Sequence, residues 1–274
     1  MNSVTHRPDR AWSAVSHNGQ QATRRVLLLA AVLFSGSLMA DVTATEEHQF
    51  TLNDNARISI ENVNGDIDIK AASGSEATLI VHKKADNQKD LDSLKVEIDS
   101  DENFLRVEVR RVDNDRGIFN WNRGGSGQVS FELAVPMNAD LEDIETVNGE
   151  INIAGIRGPV NASTVNGELE LTGLQNDAEL ETVNGSIDAQ FDSLAGDQRV
   201  TASAVNGRIT IRLPADADAR VKADTLNGGI DVDDFNLDVE KGVVGKDVDG
   251  AIGSGSARLS IDTVNGSIKL RADG

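Results

Sequence analysis

The chain has no cysteine and no tyrosine, and its 274 residues include only four prolines, two tryptophans and seven phenylalanines. Without cysteine there is no disulfide framework, no thiolate ligand or nucleophile, and no attachment point for a lipoprotein anchor. Histidine is almost as scarce. Beyond residue 40 only His48 and His82 occur, with no H-x-x-x-H spacing that would suit a metal. No G-x-S-x-G elbow appears. Gly250-Ala-Ile-Gly-Ser-Gly255 lacks the lysine and the helix that a phosphate loop needs, so it reads as a flexible loop. These absences leave no residue to name as catalytic, no metal site and no cofactor, and the chain is expected not to be an enzyme. Carboxylates are so abundant that no pair singles itself out as a glycosidase couple. Asp231-Val-Asp-Asp234 and Asp247-Val-Asp249 offer hard oxygens for calcium but lack the nonapeptide spacing of calcium-binding solenoids, and solvated turns are expected there.

Positive charge is the next deficit. Lysine and arginine total 26 against 45 aspartates and glutamates, a net charge of −19. The first 40 residues hold Arg7, Arg10, Arg24 and Arg25 against Asp9 alone, so residues from 41 onward carry 22 basic and 44 acidic groups, net −22. Such a field repels nucleic acid and anionic lipid and favours solubility, cations or basic surfaces.

Long apolar runs are missing except for Val26–Phe34, which follows Arg24-Arg25 and ends in Ser-Gly-Ser-Leu-Met-Ala40. A basic segment, a short apolar core and small residues describe a signal peptide over residues 1–40 rather than a membrane span. Cleavage is expected after Ala40, with Ala44 a close competitor. Thr23-Arg-Arg-Val-Leu-Leu28 resembles a twin-arginine signal, and the general secretory route is the alternative. No later run reaches membrane-spanning length, so a released periplasmic or extracellular protein is expected.

What the chain does have is one stretch written seven times. The copies are Asn62-Val-Asn64-Gly65-Asp-Ile67, Thr146-Val-Asn148-Gly149-Glu-Ile151, Thr164-Val-Asn166-Gly167-Glu-Leu169 and Thr182-Val-Asn184-Gly185-Ser-Ile187. They continue as Ala204-Val-Asn206-Gly207-Arg-Ile209, Thr225-Leu-Asn227-Gly228-Gly-Ile230 and Thr263-Val-Asn265-Gly266-Ser-Ile268. From Asn148 the asparagines are 18, 18, 22, 21 and 38 residues apart. A period near 20 marks stacked supersecondary units, and the last gap suggests one degenerate copy. Residues 242–256, rich in glycine, read as a loosened coil.

Two architectures accept this unit. Asn-Gly between alternating runs is a two-residue hairpin signal, which would pair Thr164 with Leu169 in an antiparallel meander. In a β-solenoid Asn-Gly instead turns the corner of each coil, with the glycine at positive φ. The recurrence of Thr before Val or Leu favours stacking, because like positions then become neighbours about 4.8 Å apart. Val147, Val165 and Val183 are accordingly expected in one row. Either way the apolar residues after Asn-Gly form the core.

Alternation predicts an all-β chain: a β-rich part of the solenoid over residues 41–140, the regular Asn-Gly part over 141–274, and one helical turn near 86–94. Residues 113–127 are the longest irregular stretch. Phe119 and Trp121 inside it are either a cap on the core or an exposed contact for protein or glycan.

The Thr-Val-Asn-Gly-x-Ile-x-Ile units, the strand Phe131-Glu-Leu-Ala-Val-Pro136 and Ile211-Arg-Leu-Pro214 before Thr225 together resemble the bacterial "putative adhesin" family of unknown function, over about residues 46–270. The resemblance implies a single-stranded-type parallel β-solenoid and carries over no catalytic residue. It suggests a non-enzymatic interaction or structural module of the cell envelope whose partner is an envelope protein or glycan. A polysaccharide-acting enzyme on a β-helix scaffold, or a partner of an envelope-stress regulatory system, are the alternatives.

N-terminal sequencing of the exported protein should read from near Asp41, and an intact Met1 on the abundant form would contradict export. Replacing Arg24 and Arg25 by lysine should collapse export only on the twin-arginine route.

Overall fold

A computed structural model describes residues 41–111, 127–235, 237–242 and 245–273. Two sheets face each other across one continuous apolar core. Each unit contributes one strand to each sheet, and Asn-Gly is the corner between them. In the unit of Asn166, for example, Val160–Asn166 lies in an eleven-stranded sheet and Leu169–Leu174 in a ten-stranded one.

The pairing excludes the hairpin alternative. Thr164 is opposite Thr182 on one side and Thr146 on the other, in parallel register, and Leu169 lies between Ile151 and Ile187. Neighbours in space are therefore equivalent positions of successive units. The apolar residues after Asn-Gly fill the core: Ile151, Leu169, Ile187, Ile209 and Ile268 have no exposed surface. Full burial of such a side chain is worth about 1.5–3 kcal/mol.

Three hydrogen-bond series carry the corner from coil to coil. Backbone N–H groups of Gly65, Gly149, Gly167, Gly185, Gly207 and Gly266 donate to the next coil's asparagine carbonyl at 2.9–3.2 Å. Asparagine side chains form an amide ladder, each Nδ2 donating to the preceding Oδ1 at 2.8–3.0 Å through Asn64, Asn148, Asn166, Asn184, Asn206, Asn265 and Asn227. Buried threonine hydroxyls donate to the preceding glycine's carbonyl, Thr146 to Gly65 at 3.1 Å and Thr164 to Gly149 at 3.2 Å, with Thr182, Thr263 and Thr225 alike. Asn62 replaces threonine in the first unit and donates to the carbonyls of Gly65 and Val129. The recurrence of threonine thus has a hydrogen-bonding cause in addition to like-residue stacking.

The glycines are required for a different reason from the expected one. Only Gly65 of the seven has a positive φ, 124°. At Gly167, Gly185 and Gly207 a Cβ would sit 1.6–1.8 Å from the preceding glycine's carbonyl oxygen, so close approach of backbones excludes any side chain.

The sheets are mixed, which corrects the purely parallel expectation. Antiparallel strands close the first end of both sheets and the far end of the eleven-stranded one, while the ten-stranded sheet ends there on Ile230–Asp231, paired in parallel with Ile268–Asp273. Val42–Thr51 pairs with Glu76–Ala85, which pairs with Gln128–Pro136, and Leu94–Asp101 pairs with Phe104–Arg111. At the far end Lys246–Ile252 runs antiparallel to Ala219–Asn227. End coils have an uncovered edge that short return connections supply with a partner strand. The α-helix Gln88–Ser93 is capped by the Asn87 side chain accepting from the Asp90 N–H, where a helical turn was expected.

Among the described residues the 38-residue gap holds no degenerate coil. Lys246–Ile252 fills it as the antiparallel edge strand, and the chain then turns back so that Ala257–Asn265 inserts between Arg199–Asn206 and Ala219–Asn227. The last unit in sequence is sixth among the seven in space. Asp218 secures the reversal: its carboxylate accepts from the Gly255 N–H at 2.6 Å and from the Ser254 and Ser256 hydroxyls at 2.7 and 2.9 Å. A unit without Asn-Gly exists instead at the opposite end, where Phe104–Arg111 and Gln128–Pro136 lie parallel to Arg57–Glu61 and Ile67–Ala72.

Ala204 interrupts the threonine row between Thr182 and Thr263. Ala204→Thr should offer a hydroxyl to the Gly185 carbonyl and stabilise the protein by about 1 kcal/mol, whereas Gly185→Ala should cost about 3 kcal/mol or more; thermal and denaturant unfolding measure both.

Candidate interaction surface

Strand parity decides what each face of the eleven-stranded sheet shows. Thr164 points inward, so its neighbours Ser163 and Val165 point outward, and the register repeats this in every coil. The expected row of Val147, Val165 and Val183 is present, continues through Val205 and Val264 to Leu226, and lies on the solvent side. Exposure rises along it from 36% at Val147 to 56% at Leu226.

Two positions before each of these residues runs a second outward row. Its members, in spatial order, are Glu145, Ser163, Glu181, Ser203, Asp262 and Asp224, and Glu61 of the first unit lies beside Glu145. The two rows border a shallow groove of about 700 Å³, with Val165, Val183, Val205, Val264 and Leu226 along its floor and Glu181, Asp262 and Asp224 beside them. Among the described residues Lys246 is the one cation lining it, at the Leu226 end. On the other side of the apolar row stands the uncharged asparagine ladder.

Like charges within a strand and on neighbouring coils perturb one another. Burial, and then the carboxylates of Asp143, Glu61 and Glu181, push Glu145 above the ordinary glutamate range. Burial also pushes up Asp262, with Asp224 adding to the effect. Ion pairs occur towards the ends of this face, Arg110 with Glu97 at 3.2 Å, Arg220 with Asp249 at 2.6 Å and Lys222 with Asp224 of the row itself at 3.8 Å, but none falls on Glu145, Glu181 or Asp262 among the described residues. On the opposite face of the molecule Arg212 forks onto Asp188 and Arg271 onto Asp231.

Phe119 and Trp121 lie outside the described residues. The fourteen Asn-Gly residues assigned a structural role, from Asn64 and Gly65 to Asn265 and Gly266, form the corner described above. Among the described residues no group of three or more metal-ligating side chains occurs, and Asp231 is engaged by Arg271. No helix among them is long and apolar enough to cross a membrane.

The chain belongs to the Toastrack DUF4097 family, whose profile matches residues 56–271. No curated protein matches it. Solved structures similar to it include a "putative cell adhesion protein" from Clostridium sporogenes, with 12% identity, 84% of this chain and 100% of that one covered, and a TM-score of 0.41. A "putative adhesin" from Bacteroides fragilis has 12% identity, 86% and 100% coverage, and a TM-score of 0.35. A "putative lipid binding protein" from Parabacteroides distasonis has 12% identity, 84% and 94% coverage, and a TM-score of 0.24. At such identities and scores these likenesses carry no functional inference.

A carboxylate with a raised pKa holds its proton more tightly folded than unfolded. Glu145 and Asp262 therefore favour folding increasingly as pH falls through the window just above the ordinary carboxylate range, and less as pH rises through it. Asp218, lowered to about 2 chiefly by the Ser254 and Ser256 hydroxyls, acts oppositely. Its contribution is present above the ordinary aspartate value and is lost as pH falls towards 2. Glu145→Gln should raise the melting temperature at pH 7 and reduce its rise between about pH 7 and pH 5, whereas Asp218→Asn should lower it at pH 7; scanning calorimetry across pH separates the two.

Proposed function

We propose that this protein is an exported, non-enzymatic β-solenoid of the cell envelope that acts as an adhesin-like interaction module. Its working surface is the outer face of the eleven-stranded sheet. The reading of the whole chain as a solenoid of 18–22-residue Asn-Gly coils belongs to the same proposal, supported by the parallel register of equivalent positions. The observation that carries the function is the exposed apolar row. Six aliphatic side chains stand in line at positions where the same strands otherwise face solvent with polar groups. A soluble protein gains nothing from such a row in isolation, and a rim of polar groups around apolar floor is what protein partners bury. Export rests on the leader of residues 1–40.

Phe119 and Trp121 remain candidate contacts in this reading. Trp121→Ala should weaken partner capture by about 2 kcal/mol or more if the loop binds, and should destabilise the fold by about 3–5 kcal/mol if it caps the core.

The test is capture from a solubilised envelope extract by the immobilised mature chain, with Val183→Asp and Val205→Asp combined as the control. Partners identified by mass spectrometry should be retained by the parent and lost from the double variant, with the melting temperature kept within a few degrees. Retention by both proteins would place the working surface elsewhere. Turnover of an envelope polysaccharide, abolished by changing one carboxylate, would replace this reading with the enzymatic one.

A further inference from the structure

We infer that the groove seats one amphipathic α-helix of a partner protein, lying across the strands and carrying lysine or arginine along one flank of its apolar stripe. The inference rests on the reading of this face as the working surface and names its occupant by chemistry.

Spacing selects a helix. The apolar row advances by one coil, about 4.8 Å, per residue. A helix laid along it presents an apolar side chain once per turn, about every 5.4 Å, whereas an extended segment presents one about every 6.8 Å. Over the five intervals from Val147 to Leu226 the row is about 24 Å long, which a helix of about 16 residues spans. Its knobs at i, i+3 or i+4, and i+7 then fall close to successive valines.

Charge selects the flank. Carboxylates run along one side of the row, where Glu145, Glu181, Asp262 and Asp224 lie two residues before Val147, Val183, Val264 and Leu226. The other side is the amide ladder, which offers hydrogen bonds but no charge. A helix with cations on one flank is neutralised on the acidic side and meets only amides on the other. Turning the helix end for end exchanges its flanks, so the placement of its cations fixes its direction along the groove. The same charge disfavours two other occupants. A second copy would bring a chain of net −22 and an identical acidic row against this one, and an anionic lipid surface is repelled.

The test uses the mature chain and a synthetic 18-residue helix with leucine once per turn and lysine along one flank. Three further peptides are its charge-reversed glutamate version, a proline-interrupted version of the same composition, and a version with lysine on the opposite flank. Methyl NMR titration should move the signals of Val147, Val165, Val183, Val205, Val264 and Leu226 together. Affinity should fall at least tenfold with Glu181→Lys or Val183→Asp, fall on adding salt, and vanish for the glutamate peptide. A spin label at the peptide N-terminus should broaden signals at one end of the row, and at the other end when lysine is moved to the opposite flank. Equal binding by the proline-interrupted peptide, or binding indifferent to both substitutions, would overturn the helix. If no peptide binds while Val183→Asp with Val205→Asp still abolishes envelope capture, the helix proposal fails and the interaction surface stands. If that double variant also keeps envelope capture, the surface itself fails.

Discussion

Everything in this molecule depends on two backbones approaching each other at the Asn-Gly corner more closely than any side chain permits. A Cβ at Gly185 would lie 1.7 Å from the Gly167 oxygen. That approach lets one coil's glycine N–H reach the next coil's asparagine carbonyl and brings the threonine hydroxyl and asparagine amide onto their partners. The corner, usually where a sheet loses its hydrogen bonds, here keeps them. Its repetition holds successive strands in register on both sheets. Coil lengths differ at the other corner, where residues between Phe191 and Arg199 span more chain than those between Leu174 and Ala178.

Register has a consequence for the surface. Once threonine is fixed inward by its bond to glycine, parity forces the following valine outward and repeats it every coil. An apolar row on the solvent side is therefore a product of the same four residues that build the corner. A polar residue at that position would serve the corner equally well, because the valine side chain takes no part in it. The row with its flanking carboxylates thus reads as surface chemistry, and antiparallel strands close both edges of the eleven-stranded sheet that carries it.

Much of this was legible in the sequence. The repeat, the buried pairs after Asn-Gly and the common row of Val147, Val165 and Val183 follow from period and alternation alone. Three things were not. The glycine requirement looked conformational and is steric, because a carbonyl from the adjacent coil cannot be seen in a single unit. The insertion of Ala257–Asn265 inside the stack was hidden because spacing along the chain says nothing about spatial order, and a long gap resembles a missing copy. The groove was missed because Glu145, Glu181, Asp262 and Asp224 are scattered between residues 145 and 262 and align only when the coils stack. The signal was available in the parity of Thr-Val, since a residue fixed inward assigns its neighbours to solvent.

The corner itself is most directly tested by hydrogen exchange of individual glycine amides. Gly149, Gly167, Gly185, Gly207 and Gly266 donate between coils, so their exchange should be slow and should approach the rate set by global unfolding. Rates typical of exposed turns at these five amides would contradict the stacked corner on which the account rests.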